Sequence, residues 1–314
     1  MFRHLLTESM QTTRTPEAHA SALAIFNQYK TSGMYDPPNL AGKIIFPGVD
    51  GGGEWGGPAF DPGTGLLYVN ANEMPWLNKL VPRSDKSLYG SNCATCHGDD
   101  LKGSGEAPAL VDIGTRRTRE QLVQVIAQGT GRMPAFAASL DNNAVNALAN
   151  FLITGKDAVD TSTSNPNLLK YRSTGLKIFL DSDGYPPITP PWGTLNAIDL
   201  NAGTIRWSVP FGEYPKLAAQ GVRNTGTDNY GGAIVTANGL LIIGATTYDN
   251  KFHVYDKHTG KLLWEATLPA AGNATPSVYV VGGREYIVIA CGGGKNDAPS
   301  GGTYVAFALP QRRR

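Results

Sequence analysis

The residues with the clearest chemistry in this chain are two cysteines and a histidine in the stretch Cys93-Ala-Thr-Cys96-His97. The spacing C-x-x-C-H is typical of the covalent attachment of a c-type haem. A zinc site would need a second Cys/His pair, and a redox C-x-x-C would need a thioredoxin-like βαβ context; the sequence offers neither. The third cysteine, Cys291, lies in the apolar run EYIVIACGG and is expected to be a buried, unreactive thiol.

A pattern of short helices surrounds this motif. SDKSLYGSNCATCH predicts a helix that ends in the motif, and TREQLVQVIAQG predicts one that begins with a capping box, Thr118 with Gln121, and stops at Gly129. DNNAVNALANFLI predicts a last helix that begins at Asp141. The glycine-rich loop GTGRMPAF lies between these two helices. Residues 84–154 are therefore predicted to form a small helical domain.

The order of motif, helix, Met-Pro loop and final helix resembles a class I cytochrome c. The resemblance implies that Cys93 and Cys96 form thioethers to haem c. It also implies that His97 is the proximal iron ligand and Met133 the distal one, a pair that raises the iron potential and favours electron transfer. Pro108 matches the proline whose carbonyl group orients the proximal histidine ring in that family.

The sequence on either side of this domain predicts β-structure with an internal repeat. AIDLNAGTIRWSVP and VYDKHTGKLLWEATLP match almost residue for residue, with Trp207 and Trp264 in the same place. Four-stranded units of about 40 residues are blades of a β-propeller, and we expect both tryptophans to pack within it. The uninterrupted unit predicts strands at about 231–236, 240–246, 251–256 and 261–268.

The first predicted blade is interrupted. Its first two strands fall at about 55–72 and its last two at about 193–209, so the helical domain is an insertion in one blade. Such an insertion is tolerated because each doubling of a loop costs only about 0.6 kcal/mol. The predicted fold is mainly β with an inserted all-α domain. Its parts are an N-terminal helix (15–30) and connecting segment at 1–50, propeller blades at 51–80 and 161–314, and a cytochrome c domain at 81–160.

The ends of the chain suggest a longer protein. The last unit predicts three strands and lacks a fourth, and about three blades cannot close a ring that uses about 4–8. The N-terminus shows no apolar core of a signal peptide, and no apolar run has the length of a membrane span. Because haem c is normally attached outside the cytoplasm, we expect a periplasmic protein in which Met1 is not the true start.

The strand motifs over nearly all of residues 35–310 resemble the C-terminal half of pyrroloquinoline quinone (PQQ)-dependent dehydrogenases, most closely the membrane glucose dehydrogenase type. The segments that carry the resemblance are FPGVDGGGEWGGPAFDPGTGLLYVNANEMPW, PPWGTLNAIDL and GGAIVTANGLLIIGATTYDNKFHVYDKHTGKLLWEATLP. The resemblance implies an eight-bladed propeller with PQQ and Ca²⁺ near its axis. It also implies an aspartate base that takes the substrate's hydroxyl proton while hydride goes to the quinone.

That base and the Ca²⁺ ligands are expected upstream of this chain, so no catalytic residue is assigned within it. Asp61, Asp199 and Asp256 are interpreted as structural residues of turns and strands. In related alcohol dehydrogenases an Asn-Trp pair stands where this chain has Glu54-Trp55, so the glutamate is a departure. For Lys295, in a glycine-rich loop, an exposed surface lysine is the competing interpretation. The resemblance implies PQQ contacts at Glu54, Trp55, Asn229, Tyr230, Lys295 and Asn296.

These observations predict part of a PQQ-dependent dehydrogenase that oxidises a sugar or alcohol, with the inserted haem c accepting electrons from the reduced quinone. A quinone or a respiratory cytochrome would then accept electrons from the haem. The alternative is a non-enzymatic scaffold propeller with a fused cytochrome, and a simple electron carrier is a third interpretation. With 27 Lys and Arg against 26 Asp and Glu, the net charge of +1 gives no field that would attract nucleic acid.

Overall fold

The computed structural model describes residues 3–31, 33, 35–82, 88–103, 107–156, 171–296 and 298–310. The chain divides into two compact units. The first unit is Met1–Ile25, Ile45–Pro75 and Phe179–Arg314, and the second is Phe26–Ile44 and Trp76–Ile178. Within the described ranges, none of the helices has the length and apolar character needed to cross a membrane.

The first unit contains a blade, here called the first blade, whose strands come from both sides of the helical stretch. Leu66–Asn72 pairs antiparallel with Gly193–Asp199 along its whole length. This pairing confirms that the segments 55–72 and 193–209 belong to one sheet and that the residues between them are an insertion. The sheet's strands are Gly52–Gly53, Ala59–Asp61, Leu66–Asn72, Gly193–Asp199 and Thr204–Pro210.

Two further antiparallel sheets follow in sequence order, as predicted. The second blade has the strands Ala233–Val235, Leu240–Ile243, Lys251–Asp256 and Leu262–Thr267. The third blade, in the described part of the chain, has Ser277–Val281, Arg284–Gly293 and Ser300–Phe307. Cys291 is buried between the second and third blades, as expected of a structural thiol. In its described residues, this unit also contains the 3-10 turn Glu8–Met10, the start of the helix Pro16–Gln28, and the helix Pro215–Ala219.

The internal repeat extends to hydrogen bonds and register. Asp61, Asp199 and Asp256 each accept a bond from the backbone N–H two residues further on, at 3.1, 3.0 and 2.9 Å. The carboxylates thus close tight turns between neighbouring strands, which confirms their structural interpretation. The last two strands of the first and second blades also shift register at equivalent places, one to two residues before the turn aspartate.

The first and second blades share an apolar core, and the partly buried Trp207 packs against it. Its indole Nε1 donates to the carbonyl oxygen of Lys257 at 3.1 Å, in the turn of the second blade. The Lys257 ammonium lies 2.8 Å from the buried Asp61 carboxylate of the first blade. The equivalent Trp264 packs edge-on against Phe307 of the third blade, so both tryptophans pack between blades as predicted.

The second unit combines short strands with helices. Its strands are Lys30–Thr31, Lys43–Ile45, Trp76–Asn78 and Lys177–Ile178 in one sheet, and Leu80–Pro82 with Tyr171–Ser173 in another. Its helices are Leu88–Asn92, Ala94–His97, the 3-10 turn Ile113–Thr115, Arg119–Gln128 and Asn142–Thr154. The helix predicted at 15–30 is observed at Pro16–Gln28 and crosses from one unit to the other. At the start of this helix, Thr15 Oγ1 accepts a hydrogen bond from the Ala18 N–H at 3.1 Å.

The predicted helix starts and stops in this unit are mostly correct. Thr118 and Gln121 form the reciprocal capping box, the same helix ends at Gly129, and Asp141 caps the last helix. The single helix predicted to end at the haem motif is wrong: two short helices meet at Cys93, whose φ of −118° lies outside the helical range. The start of that prediction, residues 84–87, lies outside the described residues.

The turn glycine of the second blade provides a test of this packing. Gly260 has φ +70°, and a Cβ there would lie 2.7 Å from the Trp207 ring; Gly203, at the same place in the first blade, has φ +67° and open space around it. Gly203→Ala should therefore lower the free energy of unfolding by about 1–2 kcal/mol through backbone strain alone. Gly260→Ala should cost about 1–3 kcal/mol more through overpacking.

Urea unfolding followed by tryptophan fluorescence measures both variants. Equal losses for Gly203→Ala and Gly260→Ala would show that the Trp207 ring moves aside without cost and does not lock the two blades.

Candidate functional site

Five of the six predicted quinone-contact residues meet in one polar cluster of the first unit. Glu54 lies just after the short strand that opens the first blade, and Asn229 and Tyr230 precede the second blade. Lys295 and Asn296 lie in the loop between two strands of the third blade. Asn296 has φ +50°, a left-handed conformation that asparagine tolerates better than most residues. The cluster thus combines one loop or strand end from each of three blades.

Three buried asparagines hold the cluster together. Asn72, the last residue of its strand, accepts from Asn229 N–H at 3.0 Å and from Asn229 Nδ2 at 2.6 Å. In return, Asn72 Nδ2 donates to the Asn229 carbonyl oxygen at 2.9 Å and to Glu54 Oε1 at 2.6 Å. Asn70 Nδ2 donates to Asn229 Oδ1 at 2.7 Å. Because buried amides that lose a partner are costly, this network fixes the first blade against the start of the second.

A second chain of contacts leads from Asp228 to Lys295. Asn296 Nδ2 donates to Asp228 Oδ2 at 2.6 Å and to the Tyr230 hydroxyl at 2.9 Å. Tyr230 in turn donates to Asp50 Oδ2 at 3.2 Å. The Lys295 ammonium lies 3.9 Å from the same Asp50 oxygen and 4.5 Å from the centre of the Tyr230 ring. Lys295 is therefore partly exposed and contacts the cluster through Asp50 and Tyr230.

Burial perturbs the acids of this cluster. It raises the pKa of Glu54 to about 8, with the charge of Asp50 acting in the same direction. It raises the pKa of Asp228 to about 6, although hydrogen bonds from Asn296 and its own backbone oppose the shift. Burial and the charge of Asp228 also raise the pKa of Tyr230. Strongly shifted acids that share a polar cluster mark it as a candidate functional site.

Trp55 is the predicted contact that the structure does not bring into this network, because its side chain is 76% exposed. Conversely, Asp50, Asn72 and Asp228 belong to the cluster although they were not among the predicted contacts. A signal for Asn72 was present in YVNANEM, where asparagines at positions 70 and 72 occupy alternate positions of an otherwise apolar strand. Asp50 lies in a glycine-rich loop, and nothing in its local sequence separates it from an ordinary turn aspartate.

The residues of the haem motif occupy the helical part of the second unit. His97 ends the helix Ala94–His97 and is 8% exposed. Its Nδ1 lies 2.9 Å from the carbonyl oxygen of Pro108, so Nδ1 carries the proton and donates, which leaves the lone pair on Nε2. Cys93 is half-buried and Cys96 is exposed.

The backbone at Gly103 lies close to both His97 and Pro108. Gly103 N–H donates to the His97 carbonyl oxygen at 2.8 Å. A Cβ on Gly103, which has φ +80°, would lie 2.3 Å from the carbonyl oxygen of Ala107 and 3.0 Å from the carbonyl carbon of Pro108. The close approach of these two segments therefore requires glycine at this position.

Met133 lies in a loop that is fixed by its own backbone. Thr130 and Met133 exchange two backbone hydrogen bonds, at 3.1 and 2.9 Å. A Cβ on Gly129, which has φ +73°, would lie 2.5 Å from the Met133 carbonyl oxygen. The half-buried Met133 side chain packs against the apolar core formed by the helices of this unit, as Cys93 also does. Among the described residues, no three His, Cys, Asp or Glu side chains are grouped as around a metal ion.

Comparisons with known proteins identify relatives over most of the chain. The quinoprotein glucose dehydrogenase of Escherichia coli (strain K12) is 29% identical over 293 residues, which cover 91% of this chain and 29% of the relative. The quinoprotein glucose dehydrogenase of Gluconobacter oxydans (strain 621H) is 30% identical over 299 residues, which cover 92% of this chain and 30% of the relative.

A solved structure, the quinohemoprotein alcohol dehydrogenase from Comamonas testosteroni, is 20% identical. The similarity covers 87% of this chain and 28% of that one, with a TM-score of 0.44, which is too low to establish a shared overall fold. The chain thus spans less than a third of the length of these relatives. The family model described as "PQQ: Glucose/ethanol/alcohol dehydrogenase, beta-propeller domain" matches residues 1–118 and 118–287. Since that match covers well over half of the residues, the chain belongs to this family of PQQ-dependent dehydrogenase propellers.

Proposed function

We propose that this chain is part of a periplasmic PQQ-dependent dehydrogenase that oxidises a sugar or alcohol. In this proposal, a haem c on residues 81–160 accepts the electrons of the reduced quinone and passes them to a quinone or a respiratory cytochrome. Membership of the family supports the dehydrogenase. The observation that carries the haem is the hydrogen bond from His97 Nδ1 to the Pro108 carbonyl oxygen, because it presents Nε2 as a basic ligand.

The polar cluster fits a flat, polar cofactor such as PQQ. The partly exposed Lys295 ammonium is a donor of the kind that carboxylate and carbonyl oxygens accept. The exposed Trp55 ring offers a flat apolar face. These residues would hold the quinone, which supplies two-electron oxidation of a carbon that bears a hydroxyl group. The catalytic base and the Ca²⁺ ligands are proposed to come from further blades of a longer protein.

The helical part of the second unit fits haem c. His97 is held in one tautomer by the Pro108 carbonyl, and the backbone of the Met133 loop is fixed independently of any ligand. His97 and Met133 would bind the iron, and Cys93 and Cys96 would bond the porphyrin. Haem c supplies one-electron transfer. The periplasmic location follows in this proposal because haem c is attached outside the cytoplasm.

The haem is tested by expressing the chain with an export signal and the cellular machinery for haem c attachment. The protein should carry a haem that resists extraction and shows a low-spin spectrum with the weak sulfur-to-iron charge-transfer band. Met133→Leu keeps the side-chain volume and should abolish that band while the haem is retained. Met10→Leu, in the first unit, should leave the spectrum unchanged.

Loss of covalent attachment in a Cys93→Ala, Cys96→Ala double variant completes the test. A charge-transfer band that survives Met133→Leu removes Met133 as the ligand. A chain that takes up no haem under these conditions refutes the electron-transfer role.

The 314-residue chain by itself should not oxidise sugars, even with PQQ and Ca²⁺ supplied. The physical reason is that the catalytic base and the metal ligands are expected in blades that this chain does not encode. Reduction of an artificial electron acceptor in the presence of glucose measures this, with the chain lacking PQQ as the control. Turnover above that control would show that a complete active site is present here.

A further inference from the structure

The polar cluster is unbalanced in charge. It contains three carboxyl groups, those of Asp50, Glu54 and Asp228, and one ammonium group, that of Lys295. Lys295 is directed at Asp50, with its Nζ 3.9 Å from Asp50 Oδ2, and at the face of the Tyr230 ring. Glu54 therefore lacks a dedicated cation within the cluster.

The surroundings of Glu54 favour its neutral form. The residue is 8% exposed, and its Oε1 accepts from Asn72, whose amide carries no charge. A buried carboxylate that is not paired with a cation is costly, and such groups take up a proton instead. The negative charge of Asp50 adds to this cost, and the hydrogen bond from Asn72 and the attraction of Lys295 only partly offset it.

Glu54 lies on a segment that forms the seam between the first and second blades. The seam is defined here as residues 54–57 with 229–232. A Cβ on Gly56 would lie 1.9 Å from the backbone of Gly231, so these two segments of the chain are in contact through their backbones. Asn70 Nδ2 donates to the Gly231 carbonyl oxygen at 3.1 Å, and Thr275 Oγ1 donates to that of Gly56 at 3.0 Å. The backbones of the first and second blades therefore meet directly beside the largely buried Glu54.

We propose that Glu54 is a proton switch in this seam: with its proton the seam is closed, and loss of the proton opens it. The ionised side chain would place a second negative charge beside Asp50 in a largely buried site, and the seam separates so that Glu54 can be hydrated. The proposal goes beyond the proposed dehydrogenase function and needs no cofactor.

The other ionisable groups of the cluster do not change charge in the same pH range. Burial raises the pKa of Asp228 only to about 6, so this group is already ionised above neutral pH. The pKa of Tyr230 is raised, which keeps the phenol neutral. Because the folded pKa of Glu54 lies above its unfolded value, its stabilising effect is complete at low pH. That effect is lost as the pH rises from about 4.5 through about 8.

Hydrogen exchange of the seam tests the switch. From pH 6.5 to 7.5, protection factors of amides in residues 54–57 and 229–232 should fall about tenfold in the wild type and level off above pH 8, since opening releases one proton. Glu54→Gln, which copies the protonated side chain, should show no such fall. The strand Arg284–Gly293 of the third blade is the internal reference. Glu285→Gln, which removes an exposed negative charge, should behave as the wild type.

Equal pH dependence in the wild type and Glu54→Gln overturns the proposal. A second variant, Asp50→Asn, guards against a folding defect of the first. It removes the charge that raises the pKa of Glu54 and frees Lys295, so the loss of protection should be smaller and should level off at a lower pH. A loss of protection unchanged by Asp50→Asn would also contradict the proposal. None of these outcomes depends on PQQ or haem, so the proposed function stands or falls separately.

Discussion

The antiparallel pairing of Leu66–Asn72 with Gly193–Asp199 is the constraint on which the rest of the first unit depends. These strands are separated by 120 residues of sequence, yet they are neighbours in one sheet. The pairing brings the two ends of the insertion together at the ends of two inner strands of one blade. Closing so long a connection costs little more than closing a shorter one, because the loop entropy grows only with the logarithm of length. A blade can therefore carry a separate group of helices without losing its own register.

The same pairing places Asn72 opposite Gly193, at the end of the strand where the polar cluster begins. Its amide connects Glu54 of the first blade to Asn229 of the second, so the register of one strand pair decides which polar groups meet. The network gathers more acids than cations in a buried place. Strands at a blade core would normally exclude such groups, since buried charges without partners are costly. Their presence here indicates a site kept for function rather than for stability.

The helical part of the second unit depends on contacts between residues that are close in sequence. His97, its Pro108 partner and the Met133 loop are each fixed by contacts with residues fewer than about twelve positions away. Glycines at positions 103 and 129 allow the close backbone approaches that these contacts require. This is why the capping box and the helix ends could be predicted from the sequence, whereas the interruption at Cys93 could not: both sides of it have ordinary helical composition.

The sequence alone determined the blade repeat, the interruption of the first blade, the turn aspartates and the haem-motif residues, because each depends on short-range patterns of spacing and turn chemistry. It also pointed to Glu54, Asn229, Tyr230, Lys295 and Asn296. Only the tertiary structure decided that Asp50, Asn72 and Asp228 join them, that Trp55 stays exposed and that, within the polar cluster, Glu54 has no dedicated cation. Those facts arise where loops from three blades converge. The burial and charge at such a place are sums over groups far apart in sequence, which no local pattern encodes.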